Sequence, residues 1–199
     1  MVRSTVEDLK SLAGREAAAG VASGMRLGLG SGSTAACFLE HLGARLASGE
    51  LTDVVCVPTS IGTEKDARRL GIPLGTLGEL APLDLTVDGA DEVDPHLNLI
   101  KGLGGALLRE KMVAQASARF VVIVDEAKLV GRLGERTPLP LEVVPFEFDS
   151  HRKWLEALGA DPEPRRNGNG DIYLTDNRLM IIDCRFVNGI DDPEELDRR

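Results

Sequence analysis

Residues 85–111 read LTVDGADEVDPHLNLIKGLGGALLREK, and the rest of the chain is organised around this stretch. It opens with the apolar run of residues 85–87, which is typical of a buried strand, and continues with a cluster of carboxylates. A single Lys101 then precedes the glycine-rich turn of residues 102–105, and a helix-like segment with Glu110 closes the stretch. Carboxylates, an ammonium group and glycines so close together indicate proton transfer beside an anion.

The composition limits the class of protein. Its 199 residues suffice for one domain, or for a large domain with a smaller one, and 43% hydrophobic and 28% charged residues are typical of a globular protein. A net charge of −9 argues against nucleic acid as a partner, since such binding needs a cationic surface. We find no apolar run of membrane-spanning length and no signal peptide, and therefore expect a cytoplasmic protein with reduced thiols at Cys37, Cys56 and Cys184.

Alternating strand and helix patterns in residues 1–130 predict a Rossmann-like α/β domain with a doubly wound, mostly parallel sheet. The apolar, β-branched run of residues 120–124 is expected to be a central strand. Further strands are expected at residues 25–29, 54–58, 71–74 and 83–87. Helices are expected at residues 4–22, capped by Ser4 or Thr5, from the turn at residues 30–34 to about Ser48, and up to about Leu70.

The composition changes after Val130, and residues 131–199 are predicted to form a smaller α+β domain with an antiparallel sheet. Its linker is expected at residues 131–140, and its helix is expected to begin at Asp149 or Ser150 and end before Gly159. The sequence NGNG at residues 167–170 predicts a hairpin turn. Strands are expected at residues 139–146, 163–166, 171–175 and 179–186.

The last residues contain a helix start, with Asp192 as cap, Pro193 at the first helical position and Glu195 for a capping box. Arg199 follows before two helical turns are complete. So short a helix is marginal without packing, and we therefore expect the small domain to lack a C-terminal segment.

Four polar clusters follow predicted strands, at residues 31–34, 59–60, 88–91 and 125–128. The carboxyl ends of parallel strands lie at one edge of a sheet, so the clusters are expected to converge there. The sequence GSGST at residues 30–34 joins a strand to a helix, an arrangement that directs backbone N–H groups at an anion. It is neither a Walker motif nor a dinucleotide fingerprint, and a tight turn without a ligand remains the alternative.

The individual residues also have structural explanations. Asp88 and Asp91 are compatible with turn formation, while Glu110 and Lys101 are compatible with a solvated surface. The histidines are dispersed and receive no role, with His41 expected on a helix surface. Cys56 is expected in a core, and Trp154 is expected to pack within the small domain.

Four motifs together resemble one family over essentially the whole chain, the ribose-5-phosphate isomerases of type A. They are GSGST at residues 30–34, VDGADE at 87–92, KGLGG at 101–105 and LREK at 108–111. The sequence departs from the family pattern in two places. Ser31 stands where many members have Thr, and Leu103 and Gly105 vary within the glycine run. Family members also continue beyond the equivalent of Arg199, which strengthens the expectation of a missing C-terminal segment.

The resemblance implies interconversion of D-ribose 5-phosphate and D-ribulose 5-phosphate through an enediolate, without a metal or an organic cofactor, in the non-oxidative pentose phosphate pathway. It implies that Glu110 is the general base and that Lys101 and the amides at residues 102–104 stabilise the enediolate oxygen. Asp88 and Asp91 are implied to bind sugar hydroxyls and to assist ring opening or proton transfer between O1 and O2. It also implies a homodimer or homotetramer. The substrate-binding residues that it implies are Ser31, Gly32, Ser33, Thr34, Asp88, Gly89, Ala90, Asp91, Lys101, Gly102, Leu103, Gly104 and Lys128.

Two alternatives belong to other functional classes. A sugar-phosphate sensor would keep the turn at residues 31–34 and lose the carboxylate–lysine set, but this sequence keeps both. A deaminase of related fold would need a catalytic histidine near the acidic cluster, and the nearby His96 lies outside the motifs. The isomerase is therefore the leading hypothesis.

Overall fold

The computed structural model describes residues 5–198, which form two compact units. The first unit runs up to Gly89 and includes Leu108–Glu126, and the second contains Ala90–Leu107 and the chain from Ala127 onward. The chain therefore leaves the first unit and returns to it within the stretch quoted above. The predicted domains 1–130 and 131–199 divide the chain differently at Ala90–Leu107, and their single boundary stays a prediction.

Strands and helices alternate through the first half of the chain. The strands are β1 (Arg26–Leu29), β2 (Val55–Pro58), β3 (Leu85–Asp88), β4 (Glu92–Val93), β5 (Leu99–Ile100), β6 (Phe120–Val122), β7 (Leu139–Val143), β8 (Asp161–Pro164) and β9 (Met180–Arg185). The helices are α1 (Val6–Ala19), α2 (Ser33–Ala47), α3 (Ile61–Arg69), α4 (Leu77–Leu80), α5 (Leu107–Gln115), α6 (Phe148–Ala157) and α7 (Pro193–Arg198).

The first unit contains a four-stranded parallel sheet in the order β2-β1-β3-β6. Leu27 of β1 lies beside Cys56 on one side and Leu85 on the other, and all three side chains are buried. Short strands buried on both faces are typical of parallel sheets covered by helices. The predicted Rossmann-like fold class is confirmed.

Helices α1 and α2 pack closely because a glycine lies at their contact. A Cβ atom at Gly14 of α1 would lie 2.6 Å from the backbone nitrogen of Phe38 on α2. Phe38 is fully buried in the main core of this unit. Thr5 caps α1 by accepting the N–H of Asp8, while the Asp8 carboxylate accepts the N–H of Thr5. Of the two predicted caps, Ser4 lies outside the described residues.

Two predictions about this sheet were wrong. The run at residues 120–124 gives β6, which ends at Val122 and lies at the edge of the sheet, with Phe120 39% exposed. Residues 71–74 form no strand, since Leu74 makes only an isolated bridge with Cys56. Apolar β-branched residues favour extended structure, but neither strand order nor the length of a strand follows from local composition.

The second unit contains an antiparallel sheet, as predicted, whose strand order is β7-β9-β8. It also contains the two-residue antiparallel pair β4–β5. Leu155 of α6 packs on Ile182 and Cys184 of β9. The predicted helix caps were wrong, because Glu147 is the N-cap residue in a left-handed conformation and Asp149 lies in the first turn. Trp154 is 49% exposed, so its predicted packing role was also wrong.

The predicted turns of the second unit are present. Gly159 follows α6 with a φ of 86°, and Gly170 ends the hairpin turn with a φ of 85°. In that turn the side-chain oxygen of Asn167 accepts two backbone N–H groups, but the flanking residues form an isolated bridge instead of the predicted ladder. Asp192 caps α7 as expected, accepting the N–H of Glu195 at 2.9 Å.

No helix among the described residues is long and apolar enough to cross a lipid bilayer. All the cysteines lie within this part of the chain and are free of disulfides. Cys56 and Cys184 are buried, as predicted for Cys56, whereas Cys37 is partly exposed. Burial raises the pKa of Cys56 to about 12, and burial together with the charge of Asp183 raises that of Cys184 to about 12.

We expect only Cys37 to react with a thiol-specific disulfide reagent in the native protein near pH 8. The buried thiols remain protonated at that pH, and the thiolate is the nucleophile. A colorimetric titration should count one fast thiol in the native state and three in denaturant. Cys37→Ser should remove the fast phase, and a second thiol as fast as in the unfolded chain would contradict the assigned burial.

Candidate active site

The turn between β1 and α2 follows a path that only glycine permits at two positions. A Cβ atom at Gly30 would overlap the carboxylate of Asp88 and lie 2.5 Å from its Cα. Gly32, the N-cap residue of α2, has a φ of 93°, which disfavours other residues. The turn therefore lies directly against the carboxyl end of β3.

Asp88 is the last residue of β3 and is 1% exposed. Its Oδ1 atom accepts the N–H of Ser31 at 3.0 Å and the N–H of Gly89 at 2.7 Å. A buried carboxylate is tolerated when hydrogen bonds replace its hydration, and these two bonds do so for its Oδ1 atom. Asp88 thus joins the turn after β1 to the end of β3.

A cluster of hydroxyl groups fixes the direction of the Ser31 side chain. The Thr59 hydroxyl donates to the carbonyl of Leu29 at 2.9 Å, and the Thr63 hydroxyl donates to the carbonyl of Gly30 at 3.0 Å. With both threonine hydrogens so engaged, the single hydrogen of Ser31 Oγ is directed at one of the two threonine oxygens, which lie 2.9 and 3.1 Å from it. The Ser31 hydroxyl therefore offers a ligand its lone pairs and no hydrogen.

Ser33 and Thr34 are the first two residues of α2. Ser33 is exposed and Thr34 is partly exposed. The first N–H groups of a helix have no partner within the helix, and they carry a partial positive charge. The turn and the start of α2 together form the strand–turn–helix arrangement that the sequence predicted, and phosphate binding there stays a prediction.

Glu110 lies in the first turn of α5 and is 5% exposed, so the alternative of a solvated surface residue does not hold. Helix α5 is held on the sheet near its C-terminal end. There the Ser117 hydroxyl lies 2.6 Å from that of Thr86 and donates to the carbonyl of Val113. Ala116, directly after α5, accepts the N–H of Leu83 just before β3. Val113 within the helix lies beside Gly28, the register partner of Thr86. Helix α5 therefore runs antiparallel to β3, and its N-terminal turn lies toward the carboxyl end of that strand.

The second unit joins Asp91 to the glycine run. The N–H of Leu103 donates to Asp91 Oδ2 at 2.9 Å, and the N–H of Asp91 donates to the carbonyl of Ile100. Within the run, the N–H of Gly105 donates to the carbonyl of Gly102. Among residues 5–198 this leaves the N–H groups of Gly102 and Gly104 as the unengaged donors of the run. The Leu103 amide, which the resemblance included among the donors, is already engaged.

Two residues of the glycine run have left-handed conformations, Gly102 with a φ of 99° and Gly105 with a φ of 83°. A side chain at Gly105 would overlap the hydroxyl of Tyr173, and one at Gly102 would lie 2.6 Å from Cβ of Leu107. Glycine is therefore required at positions 102 and 105 both by the backbone conformation and by the close neighbouring side chains. The departures at Leu103 and Gly105 are compatible with this packing.

Sequence reasoning missed Arg165, which lies just after β8. Its guanidinium group donates to both carboxylate oxygens of Asp183 and, through Nη1, to the carbonyl of Leu103 at 2.8 Å. The guanidinium carbon of Arg165 lies 5.9 Å from the ring centre of Tyr173. No local pattern connects Arg165 with a turn 62 residues earlier in the chain, so only the tertiary structure reveals the contact.

Two members of the acidic cluster are structural. Glu92 is 1% exposed, and its carboxylate accepts the N–H groups of Gly134, Arg136 and Thr137 at 2.6–2.8 Å. Asp94 binds the backbone of the turn that follows it. Burial by itself raises the pKa of Asp94, but hydrogen bonds from Asn98 and His96 outweigh it and hold the pKa below its ordinary value.

Lys101 directly follows β5 and is partly exposed. Lys128 ends a short 3₁₀ helix, Glu126–Lys128, and the next residue, Leu129, bridges Val93 of β4. Both lysines therefore belong to the part of the second unit that contains the β4–β5 pair. Within the described residues no group of histidine, cysteine and acidic side chains has the arrangement of a metal site.

The predicted residues thus form two sets. In the first unit, residues 31–34, Asp88, Gly89 and Glu110 lie at or toward the carboxyl edge of the parallel sheet, where the sequence predicted a convergence. Ala90, Asp91, Lys101, residues 102–104 and Lys128 belong to the second unit. A buried carboxylate at a helix start, and a glycine run with a neighbouring lysine, are features found in α/β enzymes that transfer protons beside a developing oxyanion.

The chain belongs to the ribose 5-phosphate isomerase A (phosphoriboisomerase A) family, whose model matches residues 55–199. It is 56% identical to ribose-5-phosphate isomerase A of Roseiflexus castenholzii, an alignment that covers 88% of this chain and 75% of that protein. It is 50% identical to the Chloroflexus aurantiacus protein of the same name, over 98% of this chain and 82% of that one.

Solved structures agree with this membership. A D-ribose-5-phosphate isomerase in complex with phospho-erythronic acid superposes with a TM-score of 0.94 at 42% identity. The superposition covers 98% of this chain and 85% of that one. The family resemblance that the sequence motifs suggested is confirmed.

We expect Gly30→Ala to destabilise the protein by about 1–3 kcal/mol, because the added methyl group must displace Asp88 or the backbone of the turn. Urea unfolding followed by circular dichroism measures the change. Gly78→Ala on α4 is the matched control, since a Cβ atom there meets nothing within 4 Å. Equal stability of the two variants would show that the turn has room for a side chain.

We expect Glu92→Gln to lower the free energy of unfolding by about 2–3 kcal/mol, because an amide N–H₂ group then faces a backbone N–H group. Glu135→Gln is the control, since exposed Glu135 accepts a single N–H group within residues 5–198, that of Gly131, and it should change stability by less than about 0.5 kcal/mol. Urea unfolding of both variants tests the difference. If Glu92→Gln were as stable as the control, Glu92 would not be holding the loop at residues 134–137.

Proposed function

We propose that this chain interconverts D-ribose 5-phosphate and D-ribulose 5-phosphate through an enediolate. The observation that carries the proposal is the buried Glu110 in the first turn of α5, a helix fixed on the sheet through Ser117 and Thr86. Abstraction of a proton next to a carbonyl needs a carboxylate held in one position. Membership of the isomerase family supports the choice of substrate.

In the proposed reaction Glu110 takes the proton from C2 of the open-chain aldose. The electron pair of the C–H bond forms the C1–C2 double bond, and the carbonyl electrons move to O1. Glu110 then returns the proton to C1, while a hydrogen passes from O2 to O1 and the C2 carbonyl forms. Substrate and product are isomers, so no oxidant or reductant is consumed.

We assign stabilisation of the enediolate oxygen to Lys101 and to the N–H groups of Gly102 and Gly104. Preorganised donors at a developing oxyanion contribute about 10²–10³-fold each to the rate. The Leu103 amide donates to Asp91, so we do not assign it to the enediolate oxygen.

We assign the sugar hydroxyls to Asp88, Gly89, Ala90 and Asp91, with Asp88 also assisting ring opening or proton transfer between O1 and O2. The carboxylates of Asp88 and Asp91 each accept backbone N–H groups, which fixes their orientation. Ser31 fits this group as well, because its hydroxyl can accept a hydrogen bond from a sugar hydroxyl but has no hydrogen left to donate.

We assign the phosphate group of the substrate to the start of α2, with Gly32, Ser33 and Thr34, and a further contact to Lys128. Backbone N–H groups at a helix start bind phosphate without requiring a cationic surface. This matters in a protein with a net charge of −9.

We also propose that phospho-erythronic acid, which is bound in the solved relative, binds this chain as a competitive inhibitor. Its carboxylate carries negative charge over two oxygens, as the enediolate does. A sugar-phosphate sensor without turnover is the second candidate, and it would bind ribose 5-phosphate in calorimetry with no ribulose 5-phosphate formed. The presence of Glu110 and Lys101 favours the isomerase.

For the cellular setting we propose a cytoplasmic homodimer or homotetramer that acts in the non-oxidative pentose phosphate pathway. The family resemblance supports this assignment. Sedimentation equilibrium of the purified chain measures the oligomeric state, and a monomer at micromolar concentration would contradict it.

We expect Glu110→Gln to lower kcat by about 10²–10⁴-fold, because the amide cannot accept the C2 proton. Affinity for ribose 5-phosphate should change less than about threefold, since the substitution keeps the size of the side chain. An isomerase assay and calorimetry measure the two quantities. Glu7→Gln in the exposed first turn of α1 is the control, and near-normal kcat in Glu110→Gln would disprove the general-base assignment.

A further inference from the structure

Arg165 is held in one orientation by a carboxylate and donates to the glycine run. Its Nε donates to Asp183 Oδ2 at 2.8 Å, and its Nη2 lies 2.5 Å from Asp183 Oδ1. Its Nη1 donates to the carbonyl of Leu103 at 2.8 Å and lies 3.4 Å from that of Gly102. The Arg165 side chain is 14% exposed, so these bonds are largely shielded from water.

The contact with Leu103 determines where the next N–H group points. A trans peptide is planar, and its N–H bond points opposite to its carbonyl bond. The carbonyl of Leu103 points to Arg165, so the N–H of Gly104 points away from Arg165. The preceding peptide follows the same rule, because its carbonyl lies toward Arg165 and its N–H donates to Asp91.

Arg165 also changes the strength of that donor. A cation at a carbonyl oxygen draws electron density through the peptide and makes its N–H group a stronger donor, as in hydrogen-bonded chains that polarise one another. Gly104 is exposed, and its N–H group is unengaged by any other residue in the range 5–198. The polarised N–H group is therefore available to a ligand.

We propose that Arg165, fixed by Asp183, is a positioning residue that orients and polarises the Leu103–Gly104 peptide as an oxyanion donor. The inference rests on the proposed function, in which Gly104 meets the enediolate. Arginine suits this role because its planar fork binds a carboxylate with two N–H groups while a third reaches the carbonyl. The Tyr173 ring lies 5.9 Å from the guanidinium and occupies the space beside Gly105.

The test compares Arg165→Met, Arg165→Lys and the double variant Arg165→Met/Asp183→Leu. The double variant removes both charges, so it avoids an unpaired Asp183 if the single variant folds poorly. We expect kcat to fall about 10- to 100-fold in Arg165→Met and in the double variant, with KM for ribose 5-phosphate changed less than about threefold, because an oxyanion donor acts mainly in the transition state. Arg165→Lys should recover part of the lost kcat.

A second readout does not depend on turnover. In the unsubstituted chain, phospho-erythronic acid should move the amide proton resonance of Gly104 downfield, and this shift should shrink in Arg165→Met. Affinity for the acid should fall in parallel with kcat/KM, whereas affinity for ribose 5-phosphate should not. Arg166→Met is the matched control, because Arg166 donates to the carbonyl of Gly170 in the exposed hairpin and should leave all these quantities unchanged.

The outcomes separate this inference from the proposed function. If the unsubstituted chain forms no ribulose 5-phosphate, the proposed function fails, and the Gly104 shift still tests Arg165. If the chain is active and the folded Arg165 variants keep normal kcat and a normal Gly104 shift, the positioning role is overturned. A change in KM alone, or a loss of kcat that disappears once the unfolded fraction is corrected for, would also overturn it.

Discussion

The structure depends on the burial of the Asp88 carboxylate against the backbone at the end of β3. A buried charge is costly unless hydrogen bonds replace its hydration, and the N–H groups of Ser31 and Gly89 do so here for the Oδ1 atom. Their positions require the turn after β1 to pass directly over Asp88, which only a glycine at position 30 permits. The hydroxyls of Thr59 and Thr63 then fix Ser31 from the neighbouring strand and helix. One carboxylate thus brings the ends of adjacent strands into a single arrangement.

The same physical rule explains why the acidic motif contains so many carboxylates. Asp91 accepts the N–H of Leu103, and Glu92 accepts three N–H groups of the loop at residues 134–137. Asp94 closes its own turn. Each carboxylate binds a different backbone segment. The acidic cluster of residues 88–94 therefore also fixes the positions of loops that are distant in the sequence. Glu92 and Asp94 are fully explained by this structural role, while Asp88 and Asp91 combine it with the hydroxyl contacts proposed for the substrate.

The sequence predicted the elements that depend on local patterns. Strands β1, β2 and β3, helices α1 and α2 and the antiparallel sheet of the second unit lie close to their expected positions, because apolar periodicity, glycines and caps act over a few residues. The prediction of a central strand at residues 120–124 was wrong. The composition of this run is that of a buried strand, but its position at the edge depends on the order of all the strands in the sheet. The motifs also pointed to Glu110 and Asp88. Arg165 could not be predicted, because its contact with Leu103 spans 62 residues and has no pattern in the sequence between them.

A protein with a net charge of −9 that handles a sugar phosphate faces an electrostatic conflict, which this fold addresses locally. Carboxylates near an anion repel it less when their charge is directed toward backbone N–H groups, as it is for Asp88, Asp91 and Glu92. The backbone can also serve as the donor to the anion, since helix starts and glycine runs supply N–H groups without mobile cationic side chains. A side-chain substitution does not change the N–H group of its own residue. The strength of a backbone N–H donor is instead changed by a contact at the carbonyl oxygen of the same peptide. Arg165 lies on that side, and its pairing with Asp183 lets one cation act on the peptide without adding net charge to the chain.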